Sequence, residues 1–222
     1  MKKVVVIAPH PDDETLGCGG TLLRHRHEGD EIFWMIVTHM TEEAGFSEER
    51  IERRRKEVEK VAQAYGFSKT YEMKFPTTRL ESVAIGTLVM EIGDVIKEVG
   101  PEIVYAPFDG DIHSDHKIVF NAAMSCTKWF RYPTIKRVLC YEALSETEFA
   151  IDPIANAFRP NVFINITEYF SRKIEIMRIY QSELGEFPFP RSEEAMQALA
   201  MFRGSSAGCK YAESYMMLKE LL

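Results

Sequence analysis

The chain has no CxxC pair. Its four cysteines, Cys18, Cys126, Cys140 and Cys209, are scattered, and a chain of 222 residues buries enough core to need no disulfide staples, so they read as reduced cytosolic thiols. Long apolar runs are missing too. "IFWMIV" (32–37) falls far short of a membrane span, and "VVVIA" (4–8) behind a basic start is too short for a signal-peptide core. Basic charge is in deficit: a formal net charge of -7 argues against a nucleic-acid backbone binder, which needs a basic face. Internal repeats, low-complexity tracts and linkers are also missing, which predicts a single domain over 1–222, cytoplasmic, with no membrane span.

What is present is an alternation of two periodicities. Apolar, β-branched runs at 2–8, 31–38, 70–75, 102–108, 136–143 and 162–166 read as strands. Helical patterns lie between and after them: "ETLGCGGTLLRHRHEG", residues 47–66 with Ser47 as N-cap, residues 83–99 stopped by "GP", "HKIVFNAAMSCTKWF", a helix from Thr167 to about 184, and "SEEAMQALAMF". Strand and helix in alternation predict an α/β fold: a Rossmann-like, doubly wound, mostly parallel sheet with helices on both faces.

In such sheets ligands bind beyond the carboxyl ends of the strands, where the strand order reverses. With the common order 3-2-1-4-5, strands one and four flank that point. The two dense polar clusters of the chain follow those strands: "HPDDE" (10–14) and "DGDIHSDH" (109–116). The fold therefore predicts that His10, Asp12, Asp13, Glu14, Asp109, Asp111, His113, Asp115 and His116 converge. Imidazoles with carboxylates and no thiolate suit zinc or iron(II) in a site with open positions, and a shared cation relieves the repulsion within Asp12, Asp13 and Glu14. Each cluster alone has a structural explanation, an acid capping the next helix or a solvated loop. Two of them at one switch point favour the metal.

"APHPDDETLGCGGTL" together with "DIHSDH" resembles the LmbE/PIG-L deacetylases, metal-dependent enzymes that remove acetyl groups from N-acetylglucosamine-type amino sugars. Weaker similarity continues through "RRRKEVEKVAQAYG", "FPTTRL", "YQSEL" and "FRGSSAGCKYAESY". The resemblance implies a metal held by His10, Asp13 and His116, with Zn2+ expected first and Fe2+ or another divalent ion also suitable. It implies Asp12 as general base toward a metal-bound water and His113 as stabiliser of the oxyanion. Asp115 orients a histidine in this reading, and Arg54 and Asp111 are candidate substrate contacts. The implied partner is a small amino-sugar substrate, and a homo-oligomer is compatible with it. Two positions depart from the family pattern, Thr77 in place of an aspartate and Glu183 in place of a glutamine, and both bear on substrate identity. Two rival functions are an amidase acting on a non-sugar or thiol-conjugate amide, and a non-catalytic sugar-binding module on the same scaffold.

Among the remaining residues, His39 reads as a solvated loop histidine at the same rim, and His25 and His27 as exposed. Arg203 reads as part of a loop whose glycines shape the backbone. "GCGG" (17–20) reads as helix packing rather than a dinucleotide loop. The connection 144–161, with Phe149, Phe158 and Arg159, either borders the site as a lid or packs on the surface.

Overall fold

The computed structural model describes residues 1–150, 152, 154 and 156–222. In chain order the elements are β1 (Lys3–Ala8), α1 (Asp13–His27), β2 (Glu31–His39), α2 (Glu48–Tyr65), β3 (Lys69–Pro76), α3 (Ile85–Val99), β4 (Ile103–Ala106), α4 (Ser114–Ser125), β5 (Arg137–Tyr141), β6 (Val162–Asn165), α5 (Phe170–Met177), α6 (Glu193–Ala207) and β7 (Ala212–Glu220). The strands form one sheet in the order β3-β2-β1-β4-β5-β7-β6. Pairing is parallel from β3 to β5, and β7 runs antiparallel to both its neighbours.

β1 shows why the sheet lies in the middle. Val4, Val6 and Ala8 enter one apolar core and Val5 and Ile7 the other, the period-two alternation of a strand covered on both faces. Residues of α1, α2, α5 and α6 fill the first core, and those of α3 and α4 the second. The expected doubly wound α/β architecture and the expected order of its first five strands are both observed.

The "GCGG" stretch lies inside α1 and lets that helix approach the sheet. A Cβ on Gly17 would overlap the Tyr141 ring, and one on Gly20 would stand 2.7 Å from Ile166. Both approaches are inside van der Waals contact, so the motif is a packing surface.

Three sequence expectations change. The strand β7 is not anticipated by periodicity, because its second residue, Glu213, points inward and breaks the apolar alternation. Its carboxylate accepts the backbone N–H groups of Gly20 and Thr21 at 2.9 and 2.8 Å and pairs with buried Lys173 at 2.7 Å. Lys173 in turn donates to the Leu16 carbonyl at 2.8 Å. The helix expected from Thr167 to 184 shortens to α5, since the chain beyond Arg178 turns to bring Tyr180 against Glu14 in the first turn of α1 and Glu183 against Arg54 of α2. Finally, "RGSSA" is the last turn of α6, ended by Gly208 at φ 70°; Gly204 sits against the Cys209 and Lys210 carbonyls, where a Cβ has no room.

Candidate metal centre and cavity

The loop from β1 into α1 carries the first cluster. Asp12 adopts φ 130° and ψ -30°, a region that disfavours any residue with a Cβ and that persists only when the surroundings enforce it. Two anchors do so. The Asp12 N–H donates to Glu14 Oε2 at 3.0 Å, and Arg54 Nη1 donates to the Pro11 carbonyl at 2.6 Å. Glu14 is fully buried and also accepts from Thr15 Oγ1 at 2.6 Å and Tyr180 Oη at 3.0 Å. Burial pushes its carboxyl up to about 7, against those hydrogen bonds. Glu14 therefore does not share a cation with its neighbours as the acid cluster suggested; it clamps the backbone that presents them.

The loop from β4 into α4 carries the second cluster, and the two meet as the topology requires. Asp13 Oδ2 accepts the His10 backbone N–H at 2.8 Å and lies 3.4 Å from His10 Nδ1 and 3.3 Å from His116 Nε2. Ligand atoms of His10, Asp13 and His116 all fall within 4.8 Å of one another. Behind them the far ring nitrogens are fixed: His10 Nε2 lies 3.0 Å from Asp115 Oδ2, and His116 Nδ1 lies 2.8 Å from Asp111 Oδ2. Backing carboxylates of this kind set the tautomer and aim the other nitrogen. The aimed nitrogen of His116, Nε2, is buried and has no well-formed hydrogen bond among the described residues, with Asp13 Oδ2 3.3 Å away. An orphaned imidazole nitrogen in a buried site is costly unless a ligand takes it. The donor set fits a divalent cation.

Electrostatics agree. Against the effect of burial, Asp115 and Asp13 raise His10 to about 9. Asp13 and Asp111 raise His116 well above its ordinary value, again against burial, and the two imidazoles hold the Asp13 carboxyl far below the carboxylate range despite its burial. Such a cluster exchanges protons for a cation. A second grouping, His10 with His113 and Asp115, fits less well. Both Asp115 oxygens accept backbone N–H groups, from Thr78 at 2.7 Å and Leu80 at 3.3 Å, and His113 Nδ1 accepts the Asp115 N–H at 3.1 Å.

That last bond defines His113. With Nδ1 an acceptor, the proton of the neutral ring resides on Nε2. Burial, then the charges of His10 and His116, lower the His113 pKa to about 4. His113 is a neutral donor on the wall of a cavity of about 350 Å³ that also includes His10, Asp12, Asp13, Arg54 and Thr77. The size lies in the range of small-molecule sites. Burial and the Asp13 charge push the Asp12 carboxyl up, opposed by Arg54 and Arg191.

Of the candidate substrate contacts, Arg54 lines the cavity and Asp111 does not. Asp111 is fully buried, with one oxygen on His116 and the other accepting Thr147 Oγ1 at 2.6 Å, so it supports an imidazole instead of touching substrate. Asp109 is exposed and stays out of the cluster. His39 is a cavity residue, its Nδ1 3.0 Å from the Phe75 carbonyl, not a solvated loop histidine. His25 is buried between Asp30 and Tyr105, whereas His27 is exposed. Arg203 forms a two-pronged pair with Glu142 at 2.8 and 2.6 Å. The connection 144–161 supplies Leu144, Ser145 and Glu146 to the cavity, while Phe158 packs on Phe108 and Phe149 is exposed; Ile151, Pro153 and Ala155 lie outside the described residues. Sequence reasoning missed Arg191 and Tyr180. Arg191 follows a proline-rich stretch with no periodicity, and Tyr180 lies within a stretch read as plain helix.

Comparison with known proteins is consistent with this geometry. A family model described as PIG-L: GlcNAc-PI de-N-acetylase matches residues 5–127. Over 222 aligned residues the chain is 25% identical to diacetylchitobiose deacetylase of Thermococcus kodakarensis, covering 96% of this chain and 82% of that one. A probable N-acetyl-alpha-D-glucosaminyl L-malate deacetylase 2 of Bacillus cereus is 26% identical, over 82% of this chain and 84% of its own. Among solved structures, the conserved protein TT1542 of Thermus thermophilus superposes with a TM-score of 0.78 at 26% identity, over 100% of this chain and 97% of the other.

Proposed function

This chain belongs to the PIG-L family, and we propose that it hydrolyses the acetamide of an N-acetylglucosamine-type sugar or conjugate with the help of one divalent cation, zinc before iron(II). The observation that carries the reading is the buried His116 Nε2, which has no hydrogen-bond partner among the described residues and lies beside His10 and Asp13, two residues of a cavity that also presents Asp12 and His113. Relatives named as deacetylases of diacetylchitobiose and of a glucosaminyl malate support the substrate class.

Two imidazoles and one carboxylate, His10, His116 and Asp13, would hold the cation, a set suited to zinc or iron(II) with positions left open. When bound, the cation supplies Lewis acidity toward water and the acyl oxygen. Asp12 takes the proton of the attacking water; burial and the charges of Asp13 and Glu183 raise its carboxyl, which makes it a stronger base once ionised, and Arg54 and Arg191 oppose that rise. As the tetrahedral centre collapses, Asp12 returns that proton to the departing nitrogen. His113 Nε2–H donates to the oxygen that gains negative charge, and its neutral state is secured by its low pKa. The Asp12 backbone is held in its strained conformation before substrate arrives, so the base needs no rearrangement to act.

The decisive experiment is acetate release from N-acetylglucosamine glycosides by the zinc- or iron-loaded protein. Asp12→Asn is expected to lower the rate by about 10²–10⁴-fold while retaining its metal. No acetate from the wild-type protein across a panel of such glycosides would overturn the proposal.

A further inference from the structure

Glu183 is an acidic side chain placed between two arginines on the wall of the same cavity. It pairs with Arg54 Nη2 and lies 3.2 Å from Arg191 Nη2. The other donors of these guanidiniums are largely spent. Arg54 donates to the Pro11 carbonyl and to Ser182 Oγ, and its Nε lies 3.2 Å from Glu57. Arg191 Nε donates to the Glu183 carbonyl at 3.0 Å and Nη1 to Ser145 Oγ at 3.3 Å. Aromatic rings cover their faces, Tyr180 at 5.4 Å from Arg54 and Phe189 at 5.4 Å from Arg191. Despite burial, Arg54 and Arg191 hold the Glu183 carboxyl below its ordinary value, so it is ionised.

Among the described residues lining the cavity, the only other arginine is Arg55, engaged with Glu52 and Glu59 at the exposed rim. A carboxylate or phosphate on the substrate would find each arginine already paired and would face Glu183 itself. Sugar hydroxyls meet no such penalty, since they donate to carboxylates and accept from guanidiniums.

We infer that Glu183 makes this cavity selective for electroneutral N-acetylglucosamine glycosides, by occupying the two guanidiniums that an anionic aglycone would engage. The inference rests on the deacetylase reading and narrows its substrate. Glu183 acts here through Arg54 and Arg191 as a specificity residue.

A matched pair of substrates tests it: N-acetylglucosaminyl malate and its dimethyl ester, which share shape and differ in charge. Wild-type protein loaded with zinc is expected to favour the ester by about tenfold or more in kcat/KM, because like charges brought together across a recognition surface are strongly disfavoured. Glu183→Gln, which frees both guanidiniums, is expected to shrink that ratio about tenfold through a lower KM for the diacid, while Glu183→Asp keeps the preference. A wild-type protein that treats the two alike, or prefers the diacid, overturns the inference and leaves the deacetylase reading standing. So does an unchanged ratio in a folded Glu183→Gln protein. If neither compound releases acetate, calorimetric binding of the same pair decides the inference, and equal affinities overturn it; the deacetylase reading stands or falls on the wider panel of glycosides.

Discussion

Two histidine–aspartate clusters sit at opposite ends of the same central strands, and both bring ring nitrogens and carboxylates close enough to hold an ion. At the carboxyl end, His116 spends Nδ1 on Asp111 and leaves Nε2 buried without a hydrogen bond among the described residues. At the other end, His25 spends both nitrogens, Nδ1 on Asp30 at 2.9 Å and Nε2 on the Tyr105 hydroxyl at 3.0 Å. Composition does not separate the two. Completeness does: a satisfied polar cluster is structure, whereas one that presents a buried, unmade bond is waiting for a ligand. The strained Asp12 backbone marks the same end of the molecule.

The largest expected effect sets one cluster directly against the other. His116→Ala should leave no tightly held metal after dialysis by elemental analysis, while a His25 variant keeps a full complement; equal loss in both would erase the distinction. Next comes a contrast within the carboxyl-end cluster. His113→Ala should retain its metal yet lose about 10²–10³-fold in kcat, the usual cost of one missing oxyanion donor; loss of metal instead would make His113 a ligand. Smaller again is the effect of the backing carboxylate. Asp111→Asn keeps the shape but weakens the hold on His116, and metal affinity should fall about 10–100-fold, read by competition with a chelator.

The convergence behind these predictions was legible in the sequence because topology alone delivers it. A parallel sheet in the order 3-2-1-4-5 must place the residues after β1 beside those after β4, and His10, Asp13 and His116 meet there. What each acid does was less legible. Asp12, Asp13 and Glu14 are consecutive, but the first two line the cavity while Glu14 is buried against Thr15 and Tyr180, and no periodicity encodes φ 130° at Asp12. Asp111 and Asp115 carry the same chemistry on either side of His113, yet each backs a different imidazole, a matter of how the chain enters α4. β7 was hidden for a related reason. Its inward Glu213 is satisfied by Gly20, Thr21 and Lys173 from elements far off in the chain, so a buried residue looked like a surface one. Arg191 reaches the cavity through tertiary contacts with Ser145 and Glu183 that no local pattern announces.

The smallest effect tests the satisfied end. Burial lowers the His25 pKa below its ordinary value, against the raising influence of Asp30 and Glu28, with Lys2 acting in the same direction as burial. A histidine with a depressed folded-state pKa binds fewer protons folded than unfolded, so its contribution is present above pH 6.5 or so and is lost as pH falls through the folded value. One proton sets the slope, at most about 1.4 kcal/mol per pH unit. His25→Gln, which cannot titrate, should cost about 1–3 kcal/mol near neutrality, where Asp30 and Tyr105 lose their shared partner. That deficit should shrink on acidification, because only the wild-type curve declines through this group. Urea unfolding of the metal-free proteins between about pH 7.5 and pH 5 reads the difference across the histidine range. Curves that stay parallel would mean that His25 is not held neutral by its surroundings, and the contrast between a finished cluster and an unfinished one would then rest on the carboxyl end alone.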